Sequence, residues 1–122
     1  MTTVKISNLS RPVEPVTAYV ADTFFPKLAG LMFRKTLSHL EGLLLSDKYE
    51  SIINTSIHML FMQFDICAIW LDQSFQIVDK KHARKWALAY FPRRAAKFVL
   101  ELNISQINNF EVGDRLEFQY SK

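Results

Sequence analysis

The chain has 122 residues, 49% hydrophobic and 22% charged, and a formal net charge of +3. These values are typical of one globular domain with its own core, and they exclude a disordered or fibrous chain. The single cysteine, Cys67, excludes an intramolecular disulfide and a thiolate cluster for zinc. We expect no secretory signal, because the first residues lack the apolar core that such a signal needs, and no apolar run reaches the roughly 20 residues of a membrane-spanning helix. We therefore expect one soluble, cytoplasmic domain over residues 1–122.

The first half of the chain is predicted to open with β structure. Residues 4–6 and 16–21 contain β-branched residues at strand spacing, and the prolines between them indicate a loop. Asp22 and Pro26 are typical of a helix start, and apolar residues recur at helical spacing up to Met32. This pattern predicts one short helix after the second strand.

The second half is predicted to be richer in strands. From His58 the even positions are apolar, which indicates a strand that continues to Leu71 and returns at residues 76–78 after a turn. Residues 98–102 form another apolar strand pattern, and residues 103–110 have helical spacing with Ser105 as a cap. Residues 116–120 alternate as a half-buried strand. The predicted fold is mainly β: a single compact β-sandwich or partly closed barrel with one or two short helices.

Six ordered segments carry a resemblance to a known family: AGLMFR (29–34), EGLLL (41–45), SIHMLFM (56–62), IWLD (69–72), FVLEL (98–102) and VGD (112–114). In this order they resemble domain of unknown function 192, also called uncharacterised protein family 0127, over about residues 18–118. The resemblance implies a compact, sandwich-like, β-rich domain without an established activity.

Two segments depart from the family pattern. Where the family reads Met-Arg-Phe-Pro-Ile-Asp, this chain has Gln63 and Cys67 in place of the arginine and the aspartate, and Asp65 in place of the proline. Trp86 matches the tryptophan of the family's Pro-Trp-Arg segment, although both of its neighbours differ. The resemblance therefore implies that any pocket shared by the family is altered in this chain near residues 63–67.

Four polar residues form one candidate site: Arg34, His58, Asp72 and Glu101. An imidazole oriented by a carboxylate can act as a general base, but a straight strand would place His58 and Asp72 roughly 46 Å apart. A structural, hydrogen-bonded histidine is the alternative interpretation. Glu101 shares a strand face with Val99, so we expect it to be partly buried and paired with Arg34 or with a basic residue of the segment 80–97.

The sequence indicates neither a nucleophilic cysteine nor a metal site. Cys67 lies among apolar residues, so burial should raise its pKa and leave the thiol inert. The three histidines show no ligand spacing such as H-E-x-x-H. We predict no metal, no cofactor and no identified catalytic residue.

The segment 80–98 concentrates the positive charge of the chain. Residues 80–100 include seven Lys or Arg and no acid, which leaves eight basic and twelve acidic residues, or −4, elsewhere. Trp86, Tyr90 and Phe91 are interleaved with Arg93, Arg94 and other cations, a mixture suited to an acid group and a stacked ring. The alternative is a solvated loop with its aromatic side chains folded onto the core.

The sequence favours a non-catalytic binding or accessory module, with a groove between segment 80–97 and the sheet carrying residues 58–72. Its ligand would be anionic or a saccharide, or its partner an acidic protein, and nucleic acid is less favoured. One alternative is an enzyme of unidentified type that uses the four polar residues named above. Another is a structural interaction domain in an assembly, for which an exposed apolar patch would be the signature.

Overall fold

The computed structural model describes residues 2–21, 31 and 34–121. In this part of the chain lie seven strands and one short 3₁₀ helix: β1 (Thr3–Asn8), β2 (Val16–Ala21), β3 (Glu41–Ser51), β4 (Ile66–Leu71), β5 (Ile77–Ala83), β6 (Ala96–Asn103), the helix (Ile104–Gln106) and β7 (Leu116–Tyr120). The predicted mainly β class is confirmed. The helix predicted over residues 22–32 lies outside the described residues, except for Leu31.

The strands form a single sheet in the order β5-β4-β6-β3-β2-β1-β7. The pair β2–β3 is parallel, and the other neighbouring pairs are antiparallel. The sheet does not close into a barrel. Its two edges meet at one end only, where Gln76 and Arg115 form an isolated bridge and the Leu116 amide donates to the Phe75 carbonyl at 2.9 Å.

The inner face of this curled sheet holds one hydrophobic core. Phe118 of the edge strand β7 contacts Phe75, which precedes the opposite edge strand β5, with ring centroids 4.7 Å apart. Phe98 of β6 contacts both rings, at 5.4 Å and 5.3 Å. Leu44, Leu100 and other fully buried aliphatic side chains fill the rest of the same space. Curling therefore buries apolar side chains that a flat sheet would expose.

The outer face of the sheet carries a second core. Ala68 and Trp70 of β4 and Val99 of β6 point to this side, because successive strand residues face opposite ways. The loops at residues 52–64 and 84–95 cover them, and the Trp70 indole nitrogen donates to the Thr55 carbonyl at 2.7 Å. Strand β4 is buried on both faces for this reason, as its uninterrupted apolar sequence predicts.

The strand predicted from His58 onward is wrong for residues 58–65. Met62 donates its amide to the Met59 carbonyl at 3.3 Å, and Phe61 has φ of 63°, so the chain turns here. Met59 and Met62 are buried in the core on the outer face of the sheet instead of forming part of a strand. Only Ile66–Leu71 pairs with neighbouring strands.

Two carboxylates stabilise turns at the ends of strands. Asp72 closes the β4–β5 hairpin, where its Oδ1 accepts the amides of Ser74 (2.9 Å) and Gln76 (3.0 Å). Asp114 lies buried before β7, and its Oδ2 accepts hydrogen bonds from the side chains of Asn8 (3.0 Å) and Arg11 (2.7 Å). Asp72 stabilises a turn without glycine, whereas Asp114 follows Gly113, which has φ of 95°.

None of the helices within residues 2–21, 31 and 34–121 has the length and apolar character that crossing a membrane would require.

Candidate functional site

Two loops pair with each other above the outer face of the sheet. Ile57 and Tyr90 exchange backbone hydrogen bonds of 3.0 Å and 2.8 Å. Met59 donates its amide to Ala87 at 3.0 Å and accepts from the Trp86 amide at 2.8 Å. Because Ile57 and Met59 are buried in the outer core, this loop pair is fixed to the sheet and can hold surface residues in defined positions.

The loop pair presents two aromatic side chains to solvent. Phe61 is 43% exposed and Trp86 is 54% exposed, and their rings meet edge to face with centroids 5.2 Å apart. Both residues have left-handed backbone angles, with φ of 63° and 67°. That conformation is unfavourable for a bulky side chain, and such strain concentrates at functional sites. The Phe61–Trp86 pair is therefore a candidate stacking surface.

A groove of about 480 Å³ opens beside this loop pair. It is lined by Lys35, Thr36, Leu37, Phe64, Asp65, Lys85, Asn103 and Ile104. Lys85 immediately precedes Trp86 in the chain, but neither Phe61 nor Trp86 is among the residues that line the groove. The groove thus lies between the segment 80–97 and the loop before β4.

One wall of the groove is fixed by Asn103 at the end of β6. Its side-chain nitrogen donates to the Leu37 carbonyl, and its Oδ1 accepts the Ser105 amide at 2.9 Å. The first bond joins residues that are 66 positions apart in the sequence. It holds Lys35 and Thr36 against the end of β6.

The groove contains one carboxylate that has partners and two ammonium groups that have none among the described residues. Asp65 is paired: its carboxylate accepts the Lys85 amide at 2.9 Å and lies 2.9 Å from His82 Nε2. These two contacts, the Lys85 amide first, lower the pKa of Asp65, so it is ionised at neutral pH. The ammonium groups of Lys35 and Lys85 have no hydrogen bond or ion pair within the described part of the chain. They leave the groove able to accept an anion.

The basic segment does not form one continuous patch. Arg93 and Arg94 lie just before the start of β6, and neither lines the groove, which includes Asn103 at the other end of that strand. The Arg93 amide donates to the buried Asp79 carboxylate at 2.8 Å, which anchors this end of the segment. The hydroxyl of Tyr90 accepts the Arg84 amide at 3.0 Å and has a structural contact. None of the predicted ligand residues lines the groove, although Arg34 and Trp86 are chain neighbours of the lining residues Lys35 and Lys85.

The four polar residues proposed as an enzymatic cluster have separate surroundings. Arg34 forms an exposed ion pair with Glu41 at 3.2 Å. His58 accepts the Leu60 amide at 3.3 Å within its own loop. Asp72 belongs to the β4–β5 hairpin turn, four residues or about 13 Å beyond the strand partner of Glu101. The four side chains therefore have no common contact from which general acid–base catalysis could be built.

Glu101 is buried, as expected, but the expected pairing with Arg34 is wrong. Its side chain is 6% exposed, and none of the described residues donates a hydrogen bond to it or forms an ion pair with it. Burial alone raises the pKa of Glu101 to about 7. Arg34 bonds to Glu41 instead, because Glu41 lies at the exposed start of the neighbouring strand.

Nucleophilic and metal chemistry find no support in the described residues. Cys67 is fully buried in the inner core, and burial raises the pKa of its thiol to about 12. Within residues 2–21, 31 and 34–121, no three His, Cys, Asp or Glu side chains are placed to share a metal ion.

Comparison with known proteins identifies relatives over most of the chain. Residues 5–118 match the DUF192 family, described as "Uncharacterized ACR, COG1430". A UPF0127 protein of Thermococcus kodakarensis is 43% identical over 93 residues, which are 76% of this chain and 57% of the relative. A UPF0127 protein of Pyrococcus furiosus is 39% identical over 80% of this chain and 83% of its own length. The chain thus matches little more than half of the Thermococcus relative's length.

Two crystal structures share the fold at low sequence identity. A Sinorhizobium meliloti protein, provisionally described as a transcription regulator, has a TM-score of 0.85 and 20% identity, covering 96% of this chain and 92% of that one. A protein of unknown function from Novosphingobium aromaticivorans has a TM-score of 0.80 and 18% identity, covering 94% and 83%. These likenesses establish the fold alone.

Proposed function

The chain belongs to the DUF192 family, also named UPF0127, and from its geometry we propose a non-catalytic binding or accessory module for an anionic or saccharide-type ligand. The observation that carries this proposal is the groove lined by Lys35 and Lys85, whose ammonium groups have no partner among the described residues. The exposed Phe61–Trp86 pair, which includes the residue after Lys85, supports it.

The groove has the size and chemistry for such a ligand. Its volume of about 480 Å³ is within the range of sites that hold small molecules. The Asp65 carboxylate is compensated by His82 and the Lys85 amide, so it opposes an incoming anion less than a free carboxylate would. The acid group of the ligand would lie between the two lysines, and a ring of the same ligand would stack on Trp86.

The proposed site differs from the site predicted from the sequence, because the ligand contacts Lys35 and Lys85 instead of Arg93 and Arg94. Arg93 and Arg94 do not line the groove, whereas Lys35 and Lys85 do. We therefore assign the acid group of the ligand to Lys35 and Lys85, and we expect Arg93 and Arg94 to add only long-range attraction at low salt.

The test compares two double variants that remove the same charge. Binding of glucose 6-sulfate and of a heparin-derived tetrasaccharide is measured by calorimetry at two salt concentrations. Lys35→Ala with Lys85→Ala should weaken binding about tenfold, because each exposed ion pair contributes up to about 1 kcal/mol. Arg93→Ala with Arg94→Ala should change binding less than about twofold. Equal losses in the two variants, or no binding by the unmodified protein, would refute the proposed site.

Tryptophan fluorescence gives an independent readout of the same site. Trp70 is fully buried and Trp86 is exposed, so only Trp86 can be shielded directly by a ligand. A ring stacked on Trp86 should change the fluorescence of the unmodified protein and leave that of Trp86→Phe unchanged. A signal that persists in Trp86→Phe would place the ligand elsewhere.

A further inference from the structure

Exposed apolar side chains are concentrated on the loop pair formed by residues 52–64 and 84–95. Of the ten large hydrophobic side chains that are exposed in the described part of the chain, six lie on these two loops: Ile52, Ile53, Phe61, Trp86, Leu88 and Phe91. Leu88 is 79% exposed and Ile53 is 75% exposed, so both project into solvent, and neither lines the groove. Such a concentration of apolar groups marks a surface that binds a partner.

The same loop pair carries positive charge and no carboxylate. The two loops contain no Asp or Glu and four cations, which flank the apolar residues of the second loop: Arg84, Lys85, Arg93 and Arg94. The side chains of these four have no hydrogen bond or ion pair among the residues that the structure describes. Asp65, the residue after the first loop, is already engaged by His82 and the Lys85 amide. The surface is therefore complementary to an anionic partner.

Hydrogen bonds to the sheet hold the second loop in place. The Lys81 ammonium of β5 donates to the Phe91 carbonyl at 2.7 Å, and the Arg93 amide donates to the buried Asp79 carboxylate at 2.8 Å. The backbone hydrogen bonds to the first loop fix the preceding residues in the same way. A surface that is fixed before it binds loses little conformational entropy on binding.

The chemistry of this surface favours a lipid bilayer over a protein partner. Leu88 and Ile53 protrude, and a protruding aliphatic side chain enters the acyl chains of a bilayer without a matching pocket, whereas a protein interface needs complementary shape. Tryptophan, which the loop presents as Trp86, is enriched where hydrocarbon meets the headgroups of a membrane. Clustered Lys and Arg side chains bind the phosphates of anionic headgroups.

We propose that the loop pair binds the surface of an anionic phospholipid bilayer. Leu88 and Ile53 enter the region between headgroups and acyl chains, and the cations of the second loop contact the lipid phosphates. This inference goes beyond the proposed function, because it assigns a separate surface to a separate ligand and does not require an occupied groove.

The charge part of the proposal is tested by sedimentation with vesicles of phosphatidylcholine alone or of equimolar phosphatidylcholine and phosphatidylglycerol. The unmodified protein should bind the anionic vesicles at least about tenfold more tightly, because each cation near an anionic surface adds about fivefold. Arg93→Ala with Arg94→Ala should weaken this binding by more than about tenfold. The matched control is Lys5→Glu, which removes the same net charge from an exposed position of β1 and should change binding less than about twofold.

The apolar part is tested with a second pair of variants. Ile53→Ser with Leu88→Ser should weaken binding to the anionic vesicles by at least about tenfold, because two inserted aliphatic side chains are lost. The control is Leu9→Ser with Val112→Ser, which changes side chains that are 59% and 50% exposed outside the loop pair and should leave binding unchanged.

Tryptophan emission reports whether the loop enters the bilayer, since Trp70 is fully buried. A shift to shorter wavelength with anionic vesicles, absent in Trp86→Phe, would support the proposal. An absence of binding to anionic vesicles, or equal losses in the loop and control variants, would refute it. A dimer seen by light scattering and dissociated by Ile53→Ser with Leu88→Ser, without vesicle binding, would refute it as well and assign this face to a contact between copies of the chain.

Discussion

The buried carboxyl of Glu101 should make the stability of the protein depend on pH in a defined direction. Burial raises its pKa from the ordinary value of 4.5 to about 7, which means that the folded state holds a proton that the unfolded state releases. Stability from this group is therefore greatest below pH 4.5 and is lost as the pH rises toward 7. Above pH 7 the folded state contains either a buried charge or a distorted site.

The magnitude follows from the two pKa values. Each pKa unit corresponds to about 1.4 kcal/mol, so the difference between 4.5 and about 7 amounts to about 3 kcal/mol of lost stability at pH 8.5. Glu101→Gln cannot ionise and does not have this loss. Burial of the glutamine amide in this variant also lowers the free energy of unfolding, but by the same amount at every pH. The difference in unfolding free energy between the variant and the unmodified protein should therefore rise by about 3 kcal/mol from pH 4 to pH 8.5.

Urea unfolding, followed by circular dichroism at half-unit pH intervals, measures this difference. All other titrating groups are common to the two proteins and cancel in the comparison. Glu117→Gln is the matched control, because Glu117 is exposed on β7 and its removal should give a difference that is flat with pH. A flat or falling difference for Glu101→Gln would refute a pKa of Glu101 raised by burial.

Two further predictions concern other buried groups. Asp114→Asn should destabilise the fold by about 2–3 kcal/mol near neutral pH, because a carboxylate bonded to Asn8, Arg11 and the Glu111 amide becomes neutral. Burial acts to raise the pKa of Asp114, but these contacts outweigh it and lower the pKa, so its stabilisation is lost as the pH falls through the lowered value. Chemical unfolding at pH 7 and pH 3 checks this, with a smaller effect expected at pH 3, and an equal effect at both would contradict it. Cys67 should react with a thiol reagent only after unfolding, since it is fully buried with a pKa of about 12; labelling of the native protein within minutes would contradict this.

Local patterns predicted six of the seven described strands in whole or in part, but they predicted neither β3 nor the groove. Residues 66–71 and 116–120 were identifiable because burial on two faces or on one face leaves a direct pattern in the sequence. Glu101 was identifiable for a similar reason, since an acid inside an apolar strand is unusual. The wall of the groove instead depends on the bond between Asn103 and the Leu37 carbonyl, which joins distant residues and has no local signature.

The strand predicted over residues 58–65 is wrong for a specific physical reason. Alternating apolar residues predict a strand only if the backbone stays extended, and Phe61 does not. The buried residues Met59 and Met62 lie three positions apart and face the sheet because the chain turns between them. Phenylalanine rarely adopts this conformation, so the sequence favoured the wrong alternative. The same turn exposes Phe61 and creates the aromatic pair that the sequence pattern had not indicated.

Residues with strained backbone angles lie on both faces of the sheet, but only on the inner face does side-chain packing offset the strain. Phe75, Phe61 and Trp86 all have positive φ. Phe75 gains contacts in return, since its ring packs against Phe98 and Phe118 in the inner core. Phe61 and Trp86 remain about half exposed, so packing does not offset their strain in the same way. The backbone strain of Phe61 and Trp86 therefore lies on the outer face of the sheet, where a bound ligand could offset it.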